Sequence, residues 1–161
     1  MDQNDRVCLD KESTIHAAMT HAVVTVKMDD SLQAVRALFN EHTFHHLIVV
    51  EDSKAVGVLS ERDLLKHVSP FIDQMSERKQ DTWTLNKRVH QIMNRDLVWA
   101  AEDTTVYEAC LMMAANSISC LPVLDQRSRP VGIVTARDLL RWLADQLEPE
   151  AGEGFVRDPA A

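Results

Sequence analysis

The chain contains the same sequence pattern twice, and this internal repeat restricts its fold more than any other feature. Segment 15–19 aligns with segment 89–93, so that Met19 falls on Met93, 74 residues further on. After a longer turn in the second copy, segment 56–65 aligns with segment 131–140, and six of these ten positions are identical. Chance does not produce such agreement at a nearly constant offset, so the chain is two copies of one structural unit.

The spacing of apolar residues predicts the same order of elements in each copy. Short apolar runs bounded by polar turns predict strands at 23–26, 47–50, 56–59, 97–100, 121–124 and 131–134. Apolar residues at helical spacing, preceded by side chains suited to N-capping, predict helices over 31–40 and 105–115. A closing helix is predicted to begin at Glu61 and, in the second copy, at Ala136. Each copy is therefore β-α-β-β-α.

One such copy buries too small a hydrophobic core to be stable alone, so the two copies are expected to pack together. The predicted fold class is α/β, of the α+β type, with two β-α-β-β-α repeats related by pseudo-twofold symmetry. The predicted organisation is a flexible N-terminus (1–12), repeat 1 (13–68), a linker (69–87), repeat 2 (88–147) and a flexible C-terminal tail (148–161). Phe71, Ile72 and Trp83 are expected to hold the linker on the domain.

Composition excludes several classes of function. Lys and Arg number 17 against 25 Asp and Glu, a formal charge of -8, which argues against binding to nucleic acid. No apolar run is long enough to span a membrane, and the polar start does not resemble a signal peptide, so a cytoplasmic location is expected. Cys8, Cys110 and Cys120 are an odd number without a CxxC pair, which favours reduced thiols.

Four chemical groups recur at matching positions where the last strand of each copy meets its closing helix. They are a strand glycine, a hydroxyl, an arginine and an aspartate, at Gly57, Ser60, Arg62 and Asp63 and again at Gly132, Thr135, Arg137 and Asp138. A glycine inside a strand indicates a close approach by backbone or ligand. The hydroxyl, the carboxylate and the helix N-terminus could bind a ribose and a phosphate. The alternative is a capping box, in which hydroxyl and carboxylate serve only the helix.

These motifs, with Leu-Pro-Val-Leu-Asp at 121–125, resemble the CBS domain, and the duplication resembles a tandem CBS pair, or Bateman module, over residues 13 to 146. The resemblance implies a regulatory module that binds adenine nucleotides or related adenosyl compounds, such as AMP, ADP, ATP, S-adenosylmethionine or NAD, in clefts between the repeats. No cofactor is required. The resemblance also implies a homodimer and an unidentified downstream protein partner.

In the family, each cleft pairs the aspartate motif of one repeat with the first strand and the pre-strand segment of the other. For the Asp138 cleft, this implies that Thr135, Arg137 and Asp138 face Thr20, Val24, Phe44, His45 and His46. For the Asp63 cleft, it implies that Ser60, Arg62 and Asp63 face Asn94, Val98, Ile118, Ser119 and Cys120. The Asp138 cleft is predicted to be the better nucleotide site, because its wall has a hydroxyl and imidazoles, whereas Trp99 either stacks on an adenine in the Asp63 cleft or occupies its space.

No catalytic motif emerges, so an enzyme is not expected. A metal site at His42, His45 and His46 is not expected either, because no carboxylate or cysteine at ligand spacing completes the set. Two functions stay open at this point. The favoured one is a ligand-sensing regulatory module that signals its occupancy to another protein. The alternative is a structural homodimerisation or protein-interaction module whose clefts are empty or filled by side chains.

Overall fold

The computed structural model describes residues 12–72 and 78–147, and both repeats have the predicted order of elements. Repeat 1 contains β1 (Thr25–Lys27), α1 (Leu32–Glu41), β2 (His46–Glu51), β3 (Lys54–Ser60) and α2 (Glu61–His67). The linker contributes α3 (Lys79–Trp83). Repeat 2 contains β4 (Ala100–Ala101), α4 (Val106–Asn116), β5 (Cys120–Leu124), β6 (Pro130–Thr135) and α5 (Ala136–Leu147). The fold class is therefore mixed α/β, with two small sheets, as predicted.

Each sheet has three strands in the order first, second, third. The first strand pairs in parallel with the second, and the second pairs antiparallel with the third through a short turn. The central strands β2 and β5 carry nearly continuous apolar sequence because they are paired on both edges and covered by helices; every residue of β5 is buried.

The long helices start where the sequence places their caps. The Ser31 hydroxyl accepts a hydrogen bond from the Ala34 N–H at 3.3 Å. Thr105 and Glu108 form a capping box, in which each side chain accepts a bond from the other residue's backbone N–H. Both starts confirm the prediction.

The edge strands β1 and β4 are shorter than predicted and begin further along the chain. Segments 23–26 and 97–100 were expected to be strands, yet β1 begins at Thr25 and β4 at Ala100. The residues before them lie on the route by which the chain crosses from one repeat to the other. Only the last residues of that route run beside β2 and β5, so only they form ladder hydrogen bonds.

The crossing exchanges short segments between the repeats. Ile15 and Met19, at the start of repeat 1, are buried in the core of repeat 2. Conversely, Val89, Ile92 and Met93 are buried in the core of repeat 1. Backbone pairs fasten both segments, Thr20 with Ile133 and Asn94 with Val58. Each repeat therefore completes the hydrophobic core of the other.

The strand glycines mark these crossing points. A Cβ built on Gly57 would lie 2.6 Å from the backbone carbonyl oxygen of Asn94, and one on Gly132 would lie 2.7 Å from Sδ of Met19. The predicted close approach at both glycines is confirmed, and the approaching group is the chain itself.

The linker is held against repeat 1 by only part of the predicted contacts. Ile72 and Leu85 are buried, and the Lys87 carbonyl oxygen accepts a hydrogen bond from the Leu32 N–H of repeat 1 at 2.9 Å. Phe71 is 50% exposed and Trp83 75% exposed, so the expectation that these two rings hold the linker down is wrong. Of the predicted flexible ends, 1–12 and 148–161, all residues but Glu12 lie outside the described part of the chain. Within the described ranges, no helix is both long and apolar enough to cross a membrane.

Candidate ligand-binding clefts

A cleft of about 680 Å³ lies between the repeats at the N-terminus of α5. All eight residues that the sequence assigns to the Asp138 cleft line it: Thr20, Val24, Phe44, His45, His46, Thr135, Arg137 and Asp138. Those from repeat 1 belong to the crossing segment and to the approach to β2, whereas those from repeat 2 lie where β6 turns into α5. The cleft is therefore built by both repeats at once.

The lining also includes residues that the sequence reasoning did not assign to this cleft: Ala22, Val23, His42, Thr43, Ser119, Ile133, Ala136 and Arg141. The most consequential is Arg141, one helical turn beyond Arg137 on α5. The signal was present in the sequence, because residues four apart on a helix share a face.

Asp138 uses one carboxylate oxygen for the helix and leaves the other uncommitted. Its Oδ2 accepts hydrogen bonds from the Thr135 N–H at 2.9 Å and the Thr135 hydroxyl at 2.6 Å, while the Thr135 oxygen accepts one from the Asp138 N–H at 3.3 Å. The capping box therefore exists. Within the described residues no group bonds Oδ1, so capping and ligand binding do not compete for the same oxygen.

His45 and His46, which both line this cleft, form hydrogen bonds with different partners. Nδ1 of His45 lies 2.7 Å from Oε2 of Glu61, and Nε2 of His46 lies 3.3 Å from the Ser119 hydroxyl. Burial lowers the pKa of His46, and the neighbouring His45 lowers it further, against the opposing effect of Asp63. His46 is consequently a neutral hydrogen-bonding group at neutral pH.

The equivalent aspartate of repeat 1 is more fully occupied. Oδ2 of Asp63 accepts bonds from the N–H and the hydroxyl of Ser60, and Oδ1 lies 3.5 Å from Nζ of Lys66. Although burial opposes ionisation, the bonds from Ser60 and the charge of Lys66 hold the pKa of Asp63 below its usual value. Arg62, the adjacent cation, is exposed.

The residues predicted to face Asp63 have partners of their own, and their facing Asp63 stays a prediction. Val98 and Ile118 pack against the core of repeat 2, and the Asn94 side-chain oxygen accepts a bond from the Asp96 N–H. Ser119 lines the Asp138 cleft, a placement the sequence reasoning did not give it. Cys120 is buried at the start of β5, where burial raises the pKa of its thiol to about 12.

Trp99 lies just before β4 and is 48% exposed. Its indole is therefore neither buried in the core nor fully solvated.

A second cavity, of about 410 Å³, contains none of the predicted site residues. It is lined by Thr25, Val50, Ser53, Asp125, Arg129, Pro130 and Val131. Its arginine is neutralised by an ion pair, because Nη2 of Arg129 lies 2.7 Å from Oδ2 of Asp125.

The histidine cluster near the Asp138 cleft does not converge on one point. The ring of His42 stacks on Phe44 with centroids 5.0 Å apart, while His45 and His46 have the separate partners described above. Across residues 12–72 and 78–147, no group of three or more His, Cys, Asp or Glu side chains is arranged to hold a metal ion.

Comparisons with known proteins agree with this architecture. The family model "CBS domain" matches residues 13–70 and 89–145. A CBS domain-containing protein of Dictyostelium discoideum is 34% identical over 133 residues, which cover 81% of this chain and 91% of that protein. The chain spans half or less of the length of the next curated relatives that it matches.

Two solved structures are similar in fold and were determined with ligands. The CBS domain pair of protein MJ0100, in complex with 5′-methylthioadenosine and S-adenosyl-L-methionine, is 26% identical with a TM-score of 0.66, covering 81% of this chain and 99% of that one. The cytosolic domain of the Mg²⁺ channel MgtE, in complex with ATP, is 28% identical with a TM-score of 0.64, covering 81% of this chain and 49% of that one. The duplicated sequence, the two matched segments and the paired sheets together show that this chain belongs to the CBS domain family, as a tandem CBS pair.

Proposed function

We propose that the protein is a regulatory sensor that binds an adenosine compound in the Asp138 cleft and transmits its occupancy to a partner protein. The observation that carries this proposal is the convergence of eight predicted residues, from both repeats, on one cleft that contains an uncommitted carboxylate oxygen. The ligands of the two similar structures, adenosyl thioether, sulfonium and triphosphate compounds, support the same chemical class.

The lining offers a matching group for each part of a nucleoside. Oδ1 of Asp138 can accept a hydrogen bond from a ribose hydroxyl, a charge-assisted bond stronger than a neutral one. Val24 and Phe44 are half-buried and apolar, suited to cover the faces of a base. Thr20 and the free nitrogen of His45 supply polar contacts at the edge of the cleft.

Sensing follows from the shared construction of the cleft. A ligand that contacts Thr20 and His45 from repeat 1 together with Asp138 from repeat 2 binds best when the repeats hold one relative orientation. Binding therefore shifts the population toward that orientation, and a partner that recognises it reads the occupancy. The cleft holds no paired base and nucleophile among the described residues, so its groups are suited to binding and not to chemical conversion.

A thermal-shift screen with AMP, ADP, ATP, NAD, S-adenosylmethionine and adenosine tests the proposal. A ligand at 100 times its dissociation constant raises the free energy of unfolding by about 2.7 kcal/mol. For a chain of this size, that corresponds to a rise in Tm of about 5–10 °C. The matched control is Asp138→Asn, which keeps a carbonyl oxygen for the cap but loses the charge. A panel in which no compound raises Tm, at concentrations up to millimolar, would contradict the proposed function.

A second role, homodimerisation, is favoured by exposed apolar side chains on the helices. Leu65 on α2 and Leu140 on α5 are 68% and 66% exposed, and Tyr107 and Leu111 on α4 are more than half exposed. Rows of this kind are covered in a symmetric dimer. Light scattering at tens of micromolar should give twice the 18.2 kDa mass of the chain, and a mass of one chain at that concentration would refute the dimer.

A further inference from the structure

The Asp138 cleft contains two arginines that have no ion-pair partner among residues 12–72 and 78–147. Arg137 and Arg141 both line the cleft and both are exposed. Neither forms an ion pair or hydrogen bond with any described residue. In contrast, Arg129 is paired with Asp125, and Lys66 with Asp63. The cleft therefore presents two available guanidinium groups.

Their placement on α5 puts both side chains in the same cleft as the ribose-binding oxygen proposed above. Residues four apart on a helix lie on one face, about 6 Å apart along the axis. Asp138 stands between them in sequence, three residues before Arg141, yet no ion pair joins Asp138 to either arginine. The carboxylate and the two cations are thus separate groups, each available to a different part of one ligand.

The three histidines of the lining are engaged with other groups of the protein. His46 is held neutral by its surroundings, and Nδ1 of His45 is occupied by Glu61. His42 stacks on Phe44. Among the lining residues that the structure describes, Asp138 is the one carboxylate, so the two arginines leave the cleft locally positive on a chain whose formal charge is -8.

We propose that the Asp138 cleft selects a phosphorylated adenosine nucleotide over adenosyl thioether or sulfonium compounds, and that Arg141 is a phosphate-binding residue. This inference rests on the function proposed above and names its ligand class. A guanidinium donates two parallel hydrogen bonds to phosphate oxygens, a geometry suited to recognition of this group. The neutral thioether 5′-methylthioadenosine offers the guanidinium groups no anion, and the sulfonium centre of S-adenosylmethionine is a cation that they repel.

Calorimetric titration of the full chain with ATP, AMP, adenosine and 5′-methylthioadenosine tests the inference. The variant is Arg141→Gln, and the matched control is Arg127→Gln, which removes an exposed arginine in the β5–β6 turn outside the cleft lining. Arg141→Gln should weaken ATP and AMP binding about 10- to 100-fold, the effect of one hydrogen bond to a charged group. It should change adenosine binding less than about 3-fold, and Arg127→Gln should leave all four affinities unaltered. In the parent chain, raising salt should weaken ATP binding and spare adenosine.

Two failures are distinguishable. If adenosine and ATP lose equal affinity in Arg141→Gln, or if 5′-methylthioadenosine binds the parent chain more tightly than ATP and AMP, the assignment of a phosphorylated ligand is wrong while the adenosine site stands. If none of the four compounds binds the parent chain, the proposed function itself is refuted.

Discussion

Replacing each strand glycine with alanine should reveal how the two repeats are fastened together. Gly57 and Gly132 occupy equivalent positions, but a Cβ meets backbone at one and a flexible side chain at the other. At Gly57 the obstacle is the carbonyl oxygen of Asn94, which accepts a hydrogen bond from the Val58 N–H at 3.0 Å. At Gly132 it is the thioether of Met19, which can rotate.

The expected costs differ for this reason. Overpacking at Gly57 costs about 1–3 kcal/mol, and displacement of the Asn94 carbonyl weakens a backbone hydrogen bond worth about 1 kcal/mol. The smaller entropy of the unfolded alanine chain offsets about 0.4–1 kcal/mol. Gly57→Ala should therefore lower the free energy of unfolding by about 2–3 kcal/mol. Gly132→Ala requires only a less favoured Met19 rotamer, about 0.5–1.5 kcal/mol, and should lose about 1 kcal/mol or less.

Urea unfolding of both variants, followed by circular dichroism, measures the difference. We expect a lower midpoint for Gly57→Ala at an unchanged slope, and a drop in Tm of about 5–10 °C against less than about 4 °C for Gly132→Ala. Equal losses of stability, or a larger loss for Gly132→Ala, would refute the reasoning. They would show that the Asn94 backbone moves aside as easily as the Met19 side chain.

Two further predictions concern a thiol and an imidazole. In a Cys8→Ser variant, a thiol reagent at pH 8 should label exposed Cys110 at once and Cys120 only on unfolding. The reason is that burial raises the pKa of the Cys120 thiol to about 12. Rapid labelling of both thiols in the folded protein would contradict this prediction. Folding lowers the pKa of His46, so below about pH 6.5 the unfolded chain binds more protons than the folded chain. The stability that neutral His46 contributes is therefore fully present above that pH and is lost as the pH falls further. The free energy of unfolding should therefore depend less on pH between about 6.5 and 5 in His46→Gln than in the parent chain or in the exposed control His16→Gln, and identical profiles for all three would exclude the effect.

Local physical signals were sufficient to predict the elements inside each repeat. The continuous apolar runs at 47–50 and 121–124 lie in central strands that are paired on both edges, as such runs predict. Ser31 and Thr105 are caps whose hydrogen bonds are made within three residues, and such contacts depend little on the rest of the chain. The Asp138 cleft was predictable only through the family resemblance, since its walls are far apart in sequence.

Features that depend on how the repeats exchange segments could not be predicted in the same way. The apolar run 97–100 has strand character, but it crosses between repeats and finds no ladder partner until Ala100. Ser119 and Cys120 are neighbours, yet one lines the Asp138 cleft and the other is buried, because side chains alternate as β5 begins. Which of the two faces a cleft depends on the register of β5 against β6, a tertiary property.

The central claim is that ligand binding in the cleft between the repeats depends on Asp138. It is tested most directly by calorimetric titration of the parent chain, Asp138→Asn and Asp63→Asn with ATP. Both substitutions keep an oxygen for the helix cap, so thermal unfolding without ligand should show similar, small losses in the two variants. Asp138→Asn should weaken the tightest binding event about 10- to 100-fold, and Asp63→Asn should leave it unchanged. If Asp63→Asn abolishes that event and Asp138→Asn retains it, the site has been assigned to the wrong cleft.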